Sequence, residues 1–239
     1  MTASGETRRV VALLPAAGNS TRMRLASGAG SKVSLEISPG LTVLQSALSR
    51  LKASNCFSHF VIACRPSESV EIIAQTGEIL ARDNFEVISG GHSRQESVRL
   101  LLEHVRGQAE VVAVHDAARP YPGVEAVMQA VQAAFTRGGA ILACPLVSTV
   151  KFVEDGKILR TVPRENLYEA HTPQCFRFDL LWRAHEKALI DGYLGTDESE
   201  LVERLGFAVE VIPSGRENLK ITAPSDLSES ILDRTRSPR

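Results

Sequence analysis

Val10-Val11-Ala12-Leu13-Leu14-Pro15-Ala16-Ala17-Gly18-Asn19-Ser20-Thr21-Arg22-Met23 decides how the rest of the chain reads. From Val10 to Ala16 the run is continuously apolar, which is the pattern of a strand buried on both faces of a parallel sheet. The small residues Ala16, Ala17 and Gly18 then let the backbone approach a ligand closely. Successive N–H groups in such a turn form a concave anion site, and Arg22 adds a planar donor fork suited to phosphate oxygens. A plain strand-to-helix connection with a solvent-exposed arginine accounts for the same residues about equally well. Neither the dinucleotide-binding glycine fingerprint nor a P-loop pattern is present.

Strand-like and helix-like segments alternate after this loop. Helical spacing of apolar residues marks 41–52, 70–80, 93–105, 124–135, 178–189 and 197–205, with Val98, Leu101, Leu102 and Val105 on one face of the third. Strands are expected at 59–64, 85–88, 110–114, 140–144 and 208–212. This alternation predicts an α/β fold with a doubly wound, mostly parallel sheet. The rhythm breaks after Pro145, where β-rich runs at 149–153 and 158–162 flank Glu154-Asp155-Gly156-Lys157. Asp-Gly is a strong hairpin signal, so a β-hairpin arm is expected to protrude at about 147–170. A last helix is expected over 225–232, capped by Ser225, ahead of a frayed tail. With no repeat or linker, residues 1–239 read as one domain carrying an arm.

Hydrophobic residues make up 44% and charged residues 23%, the balance of a soluble globular protein. The formal net charge of −1 gives no general attraction to nucleic acid or anionic membrane, so an anionic ligand needs a local cluster of cations. Cys56, Cys64, Cys144 and Cys175 form no CxxC pair, which argues against a zinc or redox motif. Isolated thiols in apolar surroundings are expected to be buried and reduced. Residues 1–9 lack the apolar core of a signal peptide, and no apolar run is long enough to span a bilayer. A cytoplasmic protein with neither nucleic-acid nor membrane partners is expected.

Three later segments accompany the first loop. They are Gly90-Gly91-His92-Ser93-Arg94-Gln95-Glu96-Ser97-Val98, Val114-His115-Asp116-Ala117-Ala118-Arg119-Pro120 and Thr172-Pro173-Gln174. Pro-Ala-Ala-Gly followed by Arg-Met resembles the signature loop of nucleotide-sugar pyrophosphorylases and cytidylyltransferases. With Thr196-Asp197-Glu198 and Asn218-Leu219-Lys220-Ile221-Thr222 the whole set, in this order, resembles the 2-C-methyl-D-erythritol 4-phosphate cytidylyltransferase family of the non-mevalonate isoprenoid pathway. The likeness runs from Val11 to about Leu227, and its most specific part is His-Asp-Ala-Ala-Arg-Pro.

That resemblance implies a Rossmann-like sheet and a magnesium-dependent transfer of CMP from CTP to a polyol phosphate, with release of pyrophosphate. Arg22 and Lys32 would face the CTP phosphates and stabilise the pentavalent transition state, with Lys220 as a third catalytic cation on the acceptor side. Asp116 would hold Mg²⁺. Ala16, Ala17 and Gly18 would border the nucleotide, and Gly90, Gly91 and Ser97 would hold the cytosine. Arg94, Ala117, Arg119, Thr172 and Thr196 are further implied binding positions. Thr149 matches an acceptor-side position, and Arg164 would reach the acceptor phosphate from a partner subunit embraced by the arm in a homodimer.

The chemistry suits these residue types. When a phosphate oxygen attacks the α-phosphorus of CTP, catalysis is positioning plus positive charge, and no protein nucleophile is needed. Mg²⁺ keeps water and bridges phosphate oxygens, so one or two carboxylates suffice. Each residue also has a plainer reading: Asp116 as a loop cap or the partner of Arg119, Ser97 as helix surface, Lys220 and Arg164 as solvated charges. Lys220 between Leu219 and Ile221 suits a strand edge facing a cleft. His115 and His171 read as structural hydrogen-bonding groups, because the phosphate nucleophile is already ionised at neutral pH. The sequence departs from the family pattern at Gly30-Ser31-Lys32-Val33, where Pro-Lys-Gln is usual, and at Ser148 and Pro163, where aspartates are usual. The last two bear on the acceptor. The alternatives are a cytidylyltransferase for ribitol 5-phosphate or another polyol phosphate, and a non-catalytic nucleotide-binding protein of the same fold.

Overall fold

The computed structural model describes residues 9–18, 31–80, 84–222 and 224–227. In chain order the first elements are β1 (Val10–Pro15), β2 (Glu36–Ser38), β3 (Leu41–Thr42), α1 (Val43–Ala53), β4 (His59–Cys64), α2 (Ser69–Leu80) and β5 (Asn84–Ser89). There follow α3 (Arg94–His104), β6 (Val111–Val114), α4 (Val124–Arg137), β7 (Gly139–Pro145), β8 (Val150–Glu154) and β9 (Lys157–Val162). The chain continues through β10 (Tyr168–Arg177), α5 (Phe178–Ile190), α6 (Glu198–Glu203) and β11 (Glu210–Pro213).

Seven strands form the central sheet in the order β11-β7-β10-β6-β1-β4-β5. Strand β1 runs parallel to β4 and β6, β4 to β5, and β7 to β11. Successive β1 side chains point to opposite faces, and each face is covered. Val11 and Leu13 pack with Val98 and Leu101 of α3, Leu181 of α5 and Val202 of α6. Ala12 and Leu14 pack with Leu44 and Leu48 of α1 and Ile72 of α2. Val10 joins Ala130, Val131 and Ala134 of α4. Burial on both sides is why the opening run had to be continuously apolar.

Strand β10 is the departure from the expected plan. It lies between β6 and β7, antiparallel to both, and its pairing to β7 shifts register between His171 and Gln174. Charged residues and Pro173 hide this strand in the sequence, since proline breaks a ladder and belongs at edges or irregularities. The helix expected at 41–52 starts at Val43, behind the short strand β3. Thr42 and Gln45 make a reciprocal capping box there, Oγ1 accepting from the Gln45 N–H at 3.2 Å and Oε1 from the Thr42 N–H at 2.9 Å. The expected C-terminal helix is replaced at its start by a 3-10 turn, Pro224–Leu227, and its remainder lies outside the described residues.

Among the described residues, strands β8 and β9 pair only with each other, as the predicted arm. Asp155 (φ 49°) and Gly156 (φ 73°) both adopt left-handed backbone, which a two-residue hairpin turn matched to strand twist requires. At its base, the Leu146 N–H donates to the Leu167 carbonyl at 2.9 Å. Among the described residues no helix is long and apolar enough to cross a membrane.

Candidate functional site

Parallel strands β1 and β6 end side by side, and the site is built where they stop. This is the edge at which open α/β sheets bind ligands. The Ala16 N–H donates to the Ala63 carbonyl at 2.7 Å and the His115 N–H to the Leu13 carbonyl at 2.9 Å, so both loops leave the sheet in fixed directions. Two cavities open there. One of about 170 Å³ is bordered by Ala16, Ala17, Gly18, Lys32, Ser97 and Ala117. The other, about 220 Å³, is bordered by Arg119, Thr172, Gln174 and Thr196. Arg94, Asp116 and Lys220 border both, as a shared wall. A larger surface groove of about 1040 Å³, around Cys56, Met128 and Ile212, contains none of the motif residues.

The shared wall is a chain of charges. Glu198 accepts from both terminal nitrogens of Arg94 at 2.8 Å each, and Arg94 Nε donates to Asp116 Oδ1 at 2.8 Å. Lys220 Nζ donates to Asp116 Oδ2 at 2.6 Å, and Arg119 Nε stands 4.0 Å from the same oxygen. Burial pushes the Asp116 carboxyl up, but Arg94 and Lys220 together outweigh it and hold the group well below the usual carboxylate range. Burial likewise lowers Arg94, and the facing carboxylates, Glu198 first, more than reverse this. Asp116 is therefore a permanently ionised carboxylate at the centre of the site.

Lys220 sits on irregular backbone rather than on a strand edge. It is placed by the Ile221 N–H donating to the Ala118 carbonyl at 2.9 Å and by the Asn218 amide donating to the Thr172 carbonyl at 2.8 Å. The two terminal nitrogens of Arg119 donate to the carbonyls of Asn218 and Ala170, at 2.7 and 3.2 Å. Its Nε is buried without a hydrogen-bond partner among the described residues.

His115 is fully buried, and burial lowers its pKa to about 4. Nε2 faces the Arg119 carbonyl at 3.0 Å and must carry the proton, which leaves Nδ1 to accept from the Thr172 hydroxyl at 3.1 Å. That hydroxyl in turn accepts from the Asp116 N–H at 3.0 Å. The neutral ring thus fixes the Asp116 backbone and has no nitrogen left to act as a base. His171, lowered to about 4 by burial and then by Arg119, faces Ser214 Oγ at 3.3 Å. Both structural readings of these histidines hold.

Beyond β5 the chain turns at Gly90 and Gly91. A Cβ on Gly90 would lie 2.3 Å from the Cβ of Ala17, so this glycine lets the turn press against the first loop. Ser97 Oγ accepts from the Gly91 N–H at 3.0 Å and donates to the Ser93 carbonyl at 2.9 Å. Its proton is committed, so toward the cavity it offers an acceptor rather than a donor. Thr196 is exposed at the rim of the second cavity, its hydroxyl donating to Glu200 at 2.9 Å.

Thr149 and Arg164 are not part of either cavity. Both are exposed at the base of the arm, where Arg164 donates to the Val147 carbonyl. Arg22 lies outside the described residues. All four cysteines are free thiols, three of them buried and Cys56 half-buried. Gln174 and Glu198 carry no individual signal in the sequence. Their signal was present only as members of Thr-Pro-Gln and Thr-Asp-Glu, because a lone glutamine or glutamate in sequence predicts nothing about burial.

Among the described residues no cluster of three or more His, Cys, Asp or Glu side chains could cage a metal. A single ionised carboxylate nevertheless suits Mg²⁺, which takes one or two protein carboxylates and completes its shell with phosphate oxygens and water. Asp116 has lone pairs beyond the two that Arg94 and Lys220 occupy.

Residues 10–234 match the family model described as 2-C-methyl-D-erythritol 4-phosphate cytidylyltransferase. A protein of that name from Acidobacterium capsulatum is 41% identical over 226 residues, spanning 92% of this chain and 94% of the relative. Another, from Solibacter usitatus, is 39% identical over 226 residues, spanning 92% and 93%. Among solved structures, the cytidylyltransferase of that name from Thermus thermophilus superposes with a TM-score of 0.77 at 30% identity, spanning 96% of this chain and all of the other.

Proposed function

The chain belongs to the 2-C-methyl-D-erythritol 4-phosphate cytidylyltransferase family, and from that premise we propose how its cleft performs the family's reaction. The enzyme transfers CMP from CTP to 2-C-methyl-D-erythritol 4-phosphate, giving 4-diphosphocytidyl-2-C-methyl-D-erythritol and pyrophosphate in isoprenoid precursor synthesis. One observation carries the site assignment: two cavities, sized for parts of two ligands, share a single wall of Arg94, Asp116 and Lys220. A reaction that joins two phosphates needs them to meet at one positively charged place.

In this reading CTP lies along the first cavity. Ala16, Ala17 and Gly18 receive its phosphates, and Gly90, Gly91 and Ser97 meet the cytosine. Ala117 closes the floor. Lys32, with Arg22 from the segment before it, neutralises the triphosphate as charge concentrates in the in-line transition state. The acceptor occupies the second cavity against Arg119, Thr172 and Thr196. Lys220, bordering both, brings the acceptor phosphate to the α-phosphorus. Asp116 would hold Mg²⁺, which would supply positive charge against the phosphate oxygens. No side chain acts as a nucleophile, and the neutral His115 only orients the Asp116 backbone.

The arm supplies the remaining contacts in a homodimer. Its support is apolar exposure: Phe152, Val153, Ile158 and Leu159 are all about half exposed or more, an unusual concentration for a free surface. Arg164 and Thr149 would then reach the partner's acceptor. Both substrates are water-soluble phosphates, in keeping with a cytoplasmic location. The test is mass spectrometry of products after incubation with CTP, Mg²⁺ and 2-C-methyl-D-erythritol 4-phosphate. The expected result is the cytidine diphosphate ester with equimolar pyrophosphate; an unchanged substrate pair would defeat the reading.

A further inference from the structure

We infer that Glu198 is a positioning residue, which acts through Arg94 to hold Asp116 at the junction of the two cavities. The inference rests on the catalytic reading of that cleft. Glu198 is 1% exposed, and a carboxylate so deeply buried is costly unless it is paired. Its partner is the Arg94 fork, engaged at 2.8 Å by both oxygens. The third nitrogen of the fork, Nε, reaches Asp116 Oδ1 at 2.8 Å. A guanidinium is planar and rigid, so fixing two of its nitrogens fixes the direction of the third. Glu198 thereby sets where Asp116 Oδ1 can sit, and leaves Oδ2 facing Lys220.

Glu198 is itself held by a polar frame. Gln174 Oε1 accepts from the Glu198 N–H at 3.0 Å and the Ser199 N–H at 3.1 Å, at the start of α6. Gln174 Nε2 donates to Asp197 Oδ2 at 2.9 Å, and Asp197 Oδ1 accepts from the Glu200 N–H at 3.0 Å. Gln174 belongs to β10, beside β6, so the frame ties the Glu198 end of the charge chain to the sheet. Two well-packed apolar residues would stabilise the fold at least as well as a buried ion pair. What they could not do is aim a third hydrogen bond at Asp116.

Glu198→Gln keeps the size of the side chain but sets an amide donor against one arginine donor, so the fork turns. With the parent enzyme assayed alongside, kcat should fall by about ten- to a hundredfold, the usual effect of losing an outer positioning contact, while KM for CTP changes less than about threefold. Removing the fork by Arg94→Lys should abolish this sensitivity: Glu198→Gln should cost less than about threefold in that background, because the two residues act as one unit. The inference is overturned if Glu198→Gln leaves kcat within threefold of the parent, or costs the same factor with and without Arg94. If Glu198→Gln does not fold by circular dichroism, Glu198→Asp, which keeps the charge but cannot span the fork, must show the same kcat loss. A crystal structure of the variant gives a readout independent of turnover. The Arg94 to Asp116 bond should be broken or redirected, and an unchanged bond defeats the inference. An inactive parent would instead sink the catalytic reading, so the two failures are distinct.

Discussion

Lys220 and Asp116 are held apart in sequence by 104 positions and meet at 2.6 Å. Asp116 is buried and paired by Arg94 as well as by Lys220, whereas the Lys220 side chain is 34% exposed, so the carboxylate depends on the pairing more than the lysine does. Their pairing also places a cation on the wall shared by the two cavities. Lys220→Met should lower kcat by about two to three powers of ten, as for other removed charge stabilisers, with an unchanged circular dichroism spectrum. A loss smaller than tenfold would show that Lys220 serves only to neutralise Asp116. His115 illustrates the opposite case: its position beside the Asp116 carboxylate invites a role in proton transfer. Burial and two committed nitrogens make it a fixed neutral spacer instead.

Two connecting elements carry testable consequences. The turn between β5 and α3 is pressed onto the first loop at Gly90. In Gly90→Ala the new methyl would stand 2.3 Å from the Ala17 Cβ and 3.2 Å from Ser97 Oγ, so the turn must shift against the first cavity. The expected outcome is a rise in KM for CTP of about ten- to a hundredfold, in line with ångström-scale misplacement; isothermal titration of CTP should show the same weakening, and unaltered binding would remove Gly90 from the cytosine site. The arm is the second element. Phe152→Asp combined with Ile158→Asp places charge on two exposed apolar positions without touching the core. Light scattering should then report the mass of one chain where the parent gives two, and activity should fall because Arg164 no longer reaches a partner. A parent that already runs as a single chain would end the homodimer proposal.

Across the whole molecule, three buried histidines tie stability to pH. His115, His171 and His185 are each lowered to about 4, in every case by burial first, with nearby arginines adding to the effect. A lowered pKa means that the unfolded chain binds protons which the folded one refuses. Stability is therefore unaffected above the unfolded value of about 6.5 and declines as pH falls toward 4. Asp116, held low, contributes constant stability through this window and loses it only at stronger acid. Urea titrations should give a stability lower by several kcal/mol at pH 4.5 than at pH 7. Equal midpoints at the two pH values would mean that these rings are protonated in the folded protein.

Local pattern was legible in the chain of residues alone. An unbroken apolar run specified β1 with both faces covered, helical spacing specified α3 and α4, and Asp155-Gly156 specified the hairpin. The order of short motifs identified the family and pointed to Asp116, Arg119 and Lys220. How those residues act on one another follows from the folded arrangement. Strand β10 was hidden because Pro173 and the charged Glu169 and Arg177 interrupt the strand signal, yet it runs antiparallel between β6 and β7 and brings Gln174 and Thr172 under the site. The bond from Glu198 through Arg94 to Asp116 joins residues 104 and 22 positions apart. The physical reason is range: propensity and periodicity act over a few residues, whereas pairing of buried charge depends on which distant segments the sheet order sets side by side.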